Sequence, residues 1–88
     1  MSMNIRAEPG WAGAFTRDQY PGAIPNGSRV VKIAMDETDA NPLGTMGTVL
    51  GSIGHPALTE GPGYFVEWET MKRVAVFVAP WKIKEVTA

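Results

Sequence analysis

Two runs of alternating side chains in the last third of the chain form the clearest pattern in this sequence. Tyr64–Glu69 and Val74–Val78 are rich in β-branched and aromatic residues and are joined by a short polar connection, a combination that predicts a β-hairpin. With a period of two, one face carries Tyr64, Val66, Trp68, Val74, Val76 and Val78, and the other carries Phe65, Glu67, Ala75 and Phe77. The first face is the predicted core.

Three more strands complete the predicted fold. They are Arg29–Ala34, Thr45–Ile53 and Trp81–Val86, each preceded by a break that contains Gly or Pro. Five short strands of this kind predict an all-β fold, a five-stranded SH3-like barrel that spans residues 28–88.

The orientation of two of these strands matters for the core. In the first strand, one register turns Val31 and Ile33 inward and leaves Lys32 outside, whereas another turns Val30 inward and restores the alternation with a bulge. In the last strand, Trp81 falls on an inward phase, so the sequence predicts that Trp81 is buried.

Residues 1–27 have a different character from the rest. Pro and Gly recur so often that neither a helix nor a strand is expected to run far, which predicts a flexible, irregular N-terminal arm ahead of the barrel. Trp11, Phe15 and Tyr20 are unusual in such a segment, and they could dock on the barrel or on a neighbour.

Composition narrows the classes of function. The 88 residues suffice for one domain, and 8 basic against 9 acidic side chains give a net charge of −1, which argues against nucleic acid as a partner. The chain has no cysteine, which excludes disulfides and thiolate chemistry. Because it has neither a leader-like N-terminus nor an apolar run long enough to span a bilayer, we expect a cytoplasmic protein without membrane contact.

Candidate chemistry is sparse. A calcium loop read from Glu37 would place Pro42 where glycine is required, so the acidic loop is interpreted as a solvated one. His55, the single histidine, has no second ligand to complete a metal site and is expected at the surface. Glu67 and Glu69 are alternate residues of one strand, as expected for the solvent-exposed face of a sheet. We therefore assign no catalytic residue and no metal site.

Two stretches of the chain resemble the type II dihydrofolate reductases, which are short SH3-like barrels with a disordered N-terminal arm. Residues 26–32, Asn-Gly-Ser-Arg-Val-Val-Lys, resemble that family's Gly-Asp-Arg-Val-Arg-Lys opening. Residues 58–67, Leu-Thr-Glu-Gly-Pro-Gly-Tyr-Phe-Val-Glu, resemble its Leu-Thr-Pro-Glu-Gly-Tyr-Ala-Val-Glu. The resemblance covers about residues 26–86 and implies the barrel fold.

The same resemblance implies a site. In that family four protomers surround a pore that takes NADPH and a pterin, which would be lined here by Lys32, Ala75, Val76 and Phe77. Ala75 stands where the family has a Gln that grips both ligands, and Phe77 stands where it has a Tyr. Since these replacements remove the hydrogen-bonding groups, we expect no cofactor and lean against an enzyme.

The first hypothesis is therefore a non-enzymatic binding or self-assembly module. If Glu69 pairs with Arg73, then Phe65 lies opposite Phe77 on the outer face, with Ala75 beside them, and the sequence predicts an exposed apolar stripe. We expect something to cover that stripe, and the candidates are a second protomer in a homo-oligomer, the chain's own aromatic arm and an unidentified protein partner. Self-association through Phe65, Ala75 and Phe77 is the first choice. The alternatives are a reductase-like enzyme with NADPH as cofactor and an oligonucleotide-binding barrel.

Overall fold

Six antiparallel strands and one 3₁₀ turn make up the part of the chain described by the computed structural model, which comprises residues 2–6, 17–35, 39 and 41–86. The strands are β1 (Ser2–Arg6), β2 (Arg29–Lys32), β3 (Met46–Ile53), β4 (Gly63–Trp68), β5 (Val74–Val78) and β6 (Ile83–Glu85), and the 3₁₀ turn is Pro80–Lys82. The predicted all-β fold is confirmed, and the five predicted strands correspond to β2 to β6.

The strands form one sheet in the order β1-β5-β4-β3-β2-β6, and every neighbouring pair is antiparallel. Within the described residues no pairing joins β1 to β6, so the sheet is open. The arrangement of β2 to β6, with a 3₁₀ turn before the last strand, is compatible with an SH3-like barrel.

The β4–β5 hairpin has the predicted register. Phe65 pairs with Phe77 and Val66 pairs with Val76. The connection lacks glycine, and Arg73 takes the left-handed conformation instead, with a φ of 67°. Its backbone N–H donates a hydrogen bond of 2.8 Å to Glu67 Oε2, which fixes the turn to the strand before it.

The main core lies on the predicted face of the hairpin. Its buried members are Val30, Val49, Tyr64, Val66, Trp68, Val76, Val78 and Ile83. Of the two registers open for β2, the structure has the one in which Val30 faces inward. The period of two then turns Lys32 inward as well, and Lys32 is 3% exposed.

The prediction that Trp81 is buried is wrong. The segment after Pro80 begins as a 3₁₀ turn, so β6 starts only at Ile83 and the alternation shifts by one residue. Consequently Lys82 is buried and Trp81 is 45% exposed.

The two described parts of the N-terminal arm, residues 2–6 and 17–27, are hydrogen-bonded to the sheet. β1 pairs along the free edge of β5, from Ser2 opposite Val78 to Arg6 opposite Val74. Residues 17–27 lie against β3, since Ser52 N–H donates to Asp18 O at 2.8 Å and Gly27 N–H donates to Val49 O at 2.7 Å.

Of the three arm aromatics, Tyr20 packs against Gly54 on the sheet. Trp11 and Phe15 lie outside the described residues. The division into an arm of residues 1–27 and a barrel of residues 28–88 stays a prediction.

Candidate functional site

A buried cluster of charged side chains lies at one end of the sheet. Asp39 Oδ2 is 3.4 Å from Lys32 Nζ and 2.9 Å from Lys82 Nζ, and Asp39 Oδ1 is 3.1 Å from Lys82 Nζ. The three side chains are 0%, 2% and 3% exposed for Asp39, Lys32 and Lys82. Burying such charges is costly unless they are paired, so the carboxylate between the two ammonium groups stabilises this arrangement.

Backbone hydrogen bonds bring the three segments of the cluster together. Ile33 N–H donates to Lys82 O at 2.8 Å, which joins β2 to the 3₁₀ turn. On the other side, Lys32 N–H donates to Thr45 O and Gly44 N–H donates to Lys32 O, both at 2.9 Å. The connection formed by residues 33–45 is therefore anchored at both ends beside Lys32. We call this connection, together with the 3₁₀ turn, the loop end.

The aromatic ring of Trp68 is the apolar wall of this cluster. Lys32 Nζ lies 5.8 Å from the ring centroid, within the range of a cation–π contact. Trp68 is 0% exposed, and its Nε1 has no hydrogen-bond acceptor among the described residues. A buried donor without an acceptor is rare in folded proteins.

A second polar contact fastens the loop end to the β4–β5 turn. Asn41 is 3% exposed, its Oδ1 accepts a hydrogen bond from Thr70 Oγ1, and its Nδ2 lies 3.3 Å from Met71 Sδ. Asp39 and Asn41 thus point their polar groups into the protein. The prediction of a solvated acidic loop is wrong for Asp39, while Glu37 lies outside the described residues.

Large apolar side chains stand exposed around the loop end. Ile33, Met35, Leu43 and Trp81 are 50%, 45%, 58% and 45% exposed. The hydrogen bonds that join β2 to Gly44 and to Lys82 place these residues on adjacent segments. We call the four residues the loop-end patch.

The predicted interface residues are not exposed, and the expectation of an apolar stripe on the surface is wrong. Phe65, Ala75 and Phe77 form one cluster on the outer face of the sheet, as expected, but they are 1%, 0% and 6% exposed. Leu50, Ile53 and Leu58 pack against this cluster.

A glycine explains how Phe77 is accommodated. The Phe77 ring lies over Gly63 of the neighbouring strand, where an added Cβ would be 2.0 Å from Phe77 Cζ. The ring of His55 also contacts Phe77, at 5.9 Å between centroids. An interface role for Phe65, Ala75 and Phe77 stays a prediction. The exposure on which that prediction was based is absent, because all three side chains are buried.

The residues implied by the reductase resemblance do not share a surface in one chain. Lys32 belongs to the charged cluster, Val76 to the main core, and Ala75 and Phe77 to the outer-face cluster. All four are buried.

A groove of about 460 Å³ separates the arm from β3. It is lined by Asp18, Gln19, Tyr20, Pro21, Ser52, Ile53 and Gly54. Tyr20 closes one side, where a Cβ on Gly54 would be 2.9 Å from Tyr20 Cε1, and Tyr20 N–H donates to Ser52 Oγ at 2.9 Å. The groove shows how the arm is seated, because the Ser52 backbone N–H donates to Asp18 O and the Ser52 hydroxyl accepts from Tyr20 N–H.

No group of three His, Cys, Asp or Glu side chains within the described ranges is placed to hold a metal ion. His55 is exposed, as expected. Within residues 2–6, 17–35, 39 and 41–86, no helix has the length and apolarity needed to cross a membrane.

Comparison with known proteins gives no relative: no protein family matches this chain, and neither a curated protein nor a solved structure is significantly similar to it. The resemblance to type II dihydrofolate reductases thus has no support beyond the short motifs that suggested it.

Sequence reasoning misses the charged cluster because its members lie on three separate segments and none belongs to a motif. One signal was present. Once Val30 faces the core, Lys32 must face inward too, and a buried ammonium requires a carboxylate nearby. Asp39, in the loop that follows, was an available partner.

Proposed function

We propose that this chain is a small non-enzymatic binding module that takes an extended apolar segment of a protein partner on the loop-end patch. The observation that carries the proposal is the exposure of Ile33, Met35, Leu43 and Trp81, which is between 45% and 58%. Large apolar side chains grouped on a small soluble domain mark interaction sites, and tryptophan is enriched among the residues that dominate binding energy.

The charged cluster supports this proposal by holding the patch in place. Leu43 and Met35 lie on a connection between strands, where a chain is ordinarily mobile. Here Asp39 is paired with two lysines and Asn41 with Thr70, so the connection is fastened from within. A surface that is already ordered loses less entropy on binding.

The size of the patch favours a peptide segment over a second copy of the chain. Four side chains exposed to this degree offer roughly 400 Å² of apolar surface, whereas each side of a standard stable interface buries about 800 Å². Assembly through β6 is also disfavoured. That edge strand has only three residues, and Lys84 and Glu85 on it are exposed charges, which protect edges from pairing.

The test is a selection of binding peptides from a library of random dodecapeptides displayed on phage, with the full chain immobilised. We expect apolar peptides to be enriched, and we expect Leu43→Ser and Trp81→Ser to reduce their affinity at least about tenfold, as for truncation of a central contact. Tyr20→Ser is the matched control, because Tyr20 has a similar exposure of 42% but lies in the groove beside β3.

Three results would contradict the proposal. The first is that no peptide is enriched, and the second is that the selected peptides bind the patch variants as well as the natural chain. The third is that light scattering gives the natural chain the solution mass of a dimer and gives the patch variants the mass of a monomer. That result would assign the patch to self-assembly. Oxidation of NADPH by dihydrofolate in the presence of the chain would favour the reductase alternative instead.

A further inference from the structure

The indole N–H of Trp68 and the ammonium group of Lys32 are two buried donors that the described residues leave short of acceptors. Trp68 is 0% exposed, and its Nε1 has no acceptor among the described residues. The large majority of buried polar side-chain atoms in proteins have at least one hydrogen-bond partner, and an exception needs an explanation. The Trp68 N–H therefore requires an acceptor from outside the described residues.

Lys32 shows a related shortage. Its ammonium has three N–H groups, and its one ion-pair contact with the described residues is Asp39 Oδ2 at 3.4 Å. That oxygen is also 2.9 Å from Lys82 Nζ, so two ammonium groups share it. Lys32 Nζ lies 5.8 Å from the centroid of the Trp68 ring, so the ammonium group and the indole that carries the unpaired N–H are close neighbours.

We propose that a small oxyanion, a carboxylate or an inorganic oxyanion, binds between the Lys32 ammonium and the Trp68 indole N–H. Both groups only donate, which excludes a cation as the ligand. A water molecule would accept from the indole but would add no negative charge beside Lys32. An oxyanion has several acceptor oxygens, so that one can bind Nζ while another binds Nε1, and hydrogen bonds to a charged acceptor are the stronger ones.

This site is distinct from the loop-end patch, because its donors are buried beneath the loop end rather than exposed on it. It does not depend on the peptide-binding proposal, and either can fail without the other. If both hold, the loop end combines an apolar surface with an anion site under it.

The experiment follows the indole N–H signals by ¹H–¹⁵N NMR in the full chain, which has three tryptophans and therefore three such signals. Trp68→Phe identifies the Trp68 signal. Sodium acetate, sodium phosphate and sodium chloride are titrated separately into a dilute amine buffer with chloride as the counterion. We expect a saturable shift of the Trp68 signal with acetate or phosphate, and little movement of the Trp81 signal.

The acetate and phosphate series distinguish a carboxylate site from an inorganic oxyanion site. Lys32→Met is expected to weaken the response at least about tenfold, and Lys72→Met, which removes an exposed lysine, is the matched control and should leave it unchanged. If Lys32→Met does not fold, Lys32→Arg keeps the charge and should retain a saturable response with a different bound shift.

Three outcomes would overturn the site. A Trp68 signal that does not respond saturably to acetate or to phosphate would mean that the acceptor of the indole N–H is not an added oxyanion. A response to chloride equal to that of both oxyanions, or one equally strong in Lys32→Met, would show that the signal reports ionic strength and not a bound oxyanion.

Discussion

The β4–β5 hairpin and the loop end are neighbours that are stabilised in different ways. In the hairpin, Val66, Val76 and their neighbours bury apolar surface against the main core, and the pairing is local in sequence. In the loop end, buried charges from three segments meet, with Asp39 seven residues from Lys32 and 43 from Lys82. A volume-conserving change in apolar packing usually lowers the free energy of unfolding only a little, whereas removal of one partner from a buried ion pair lowers it strongly.

Trp68 is where the two regions meet. It belongs to the main core, and its ring also faces the Lys32 ammonium. The loop end therefore depends on the hairpin for its apolar wall, but the hairpin does not depend on the loop end for its pairing. This asymmetry gives the two regions different responses to mutation.

The largest effect is expected from Trp68→Ala, because this change removes the wall shared by both regions. We expect a loss of roughly 3 to 5 kcal/mol in the free energy of unfolding, as for other large side chains deleted from cores. Trp81→Ala, at a position that is 45% exposed, should cost about 1 kcal/mol or less. Urea unfolding followed by circular dichroism measures both, and equal losses would contradict the burial assigned to Trp68.

Asp39→Asn should be next, and its effect should be concentrated in the loop end. We expect a loss of about 3 kcal/mol, the lower end of the cost of leaving a buried charge unpaired, because a freed loop end can return the two ammonium groups to water. Asp18→Asn is the control, since Asp18 is exposed and should change stability by less than about 0.5 kcal/mol. An Asp39→Asn chain as stable as the natural one would mean that the charged cluster contributes nothing.

Gly47→Ala tests the packing beneath the hairpin. An added Cβ would be 2.7 Å from Val66 Cγ1 and 2.8 Å from Trp68 Cε3, so neighbouring side chains must shift. Overpacking of this kind costs about 1 to 3 kcal/mol. Gly44→Ala would not be a fair control, because Gly44 has a φ of 86°. Ala57→Ser, at an exposed position, serves instead, and a Gly47→Ala chain as stable as that control would contradict the close contact.

The smallest effect is expected from Thr70→Val, which keeps the shape of the side chain but removes the donor to Asn41 Oδ1. The loss should be about 1 kcal/mol, the typical contribution of one hydrogen bond. Thr59→Val, at an exposed loop position, is the matched control and should be neutral within about 0.5 kcal/mol. If the two variants have the same unfolding midpoint, Asn41 does not fasten the loop end to the β4–β5 turn.

The two regions also differ in how well sequence predicts them. The hairpin, its register and its core face follow from alternation, because a strand that buries one face must repeat every two residues. The burial of Phe77 does not follow, since it depends on the space over Gly63 and on Leu58 from a loop. β1 does not follow from the high Pro and Gly content of residues 1–27, because neither residue type occurs before Pro9.

The loop end was beyond prediction for a physical reason. Charged side chains are expected at the surface, and their burial becomes favourable only when a partner distant in sequence arrives. After Pro80 the alternation shifts by one residue, so that Lys82 and not Trp81 lies in the interior. This shift can be predicted only if the 3₁₀ turn is already known. The charged cluster and the exposure of Trp81 come from the same local change.

The most direct test of the account is amide hydrogen exchange in the natural chain and in Asp39→Asn. The amides of Ile33 and Gly44 report the loop end, because their N–H groups bind Lys82 O and Lys32 O, and the amides of β4 and β5 are the internal reference. We predict that Asp39→Asn abolishes protection at Ile33 and Gly44 while β4 and β5 remain protected, as for a locally opened region. Protection that falls equally in both regions, or that persists at Ile33 and Gly44, would contradict the claim that Asp39 holds the loop end in place.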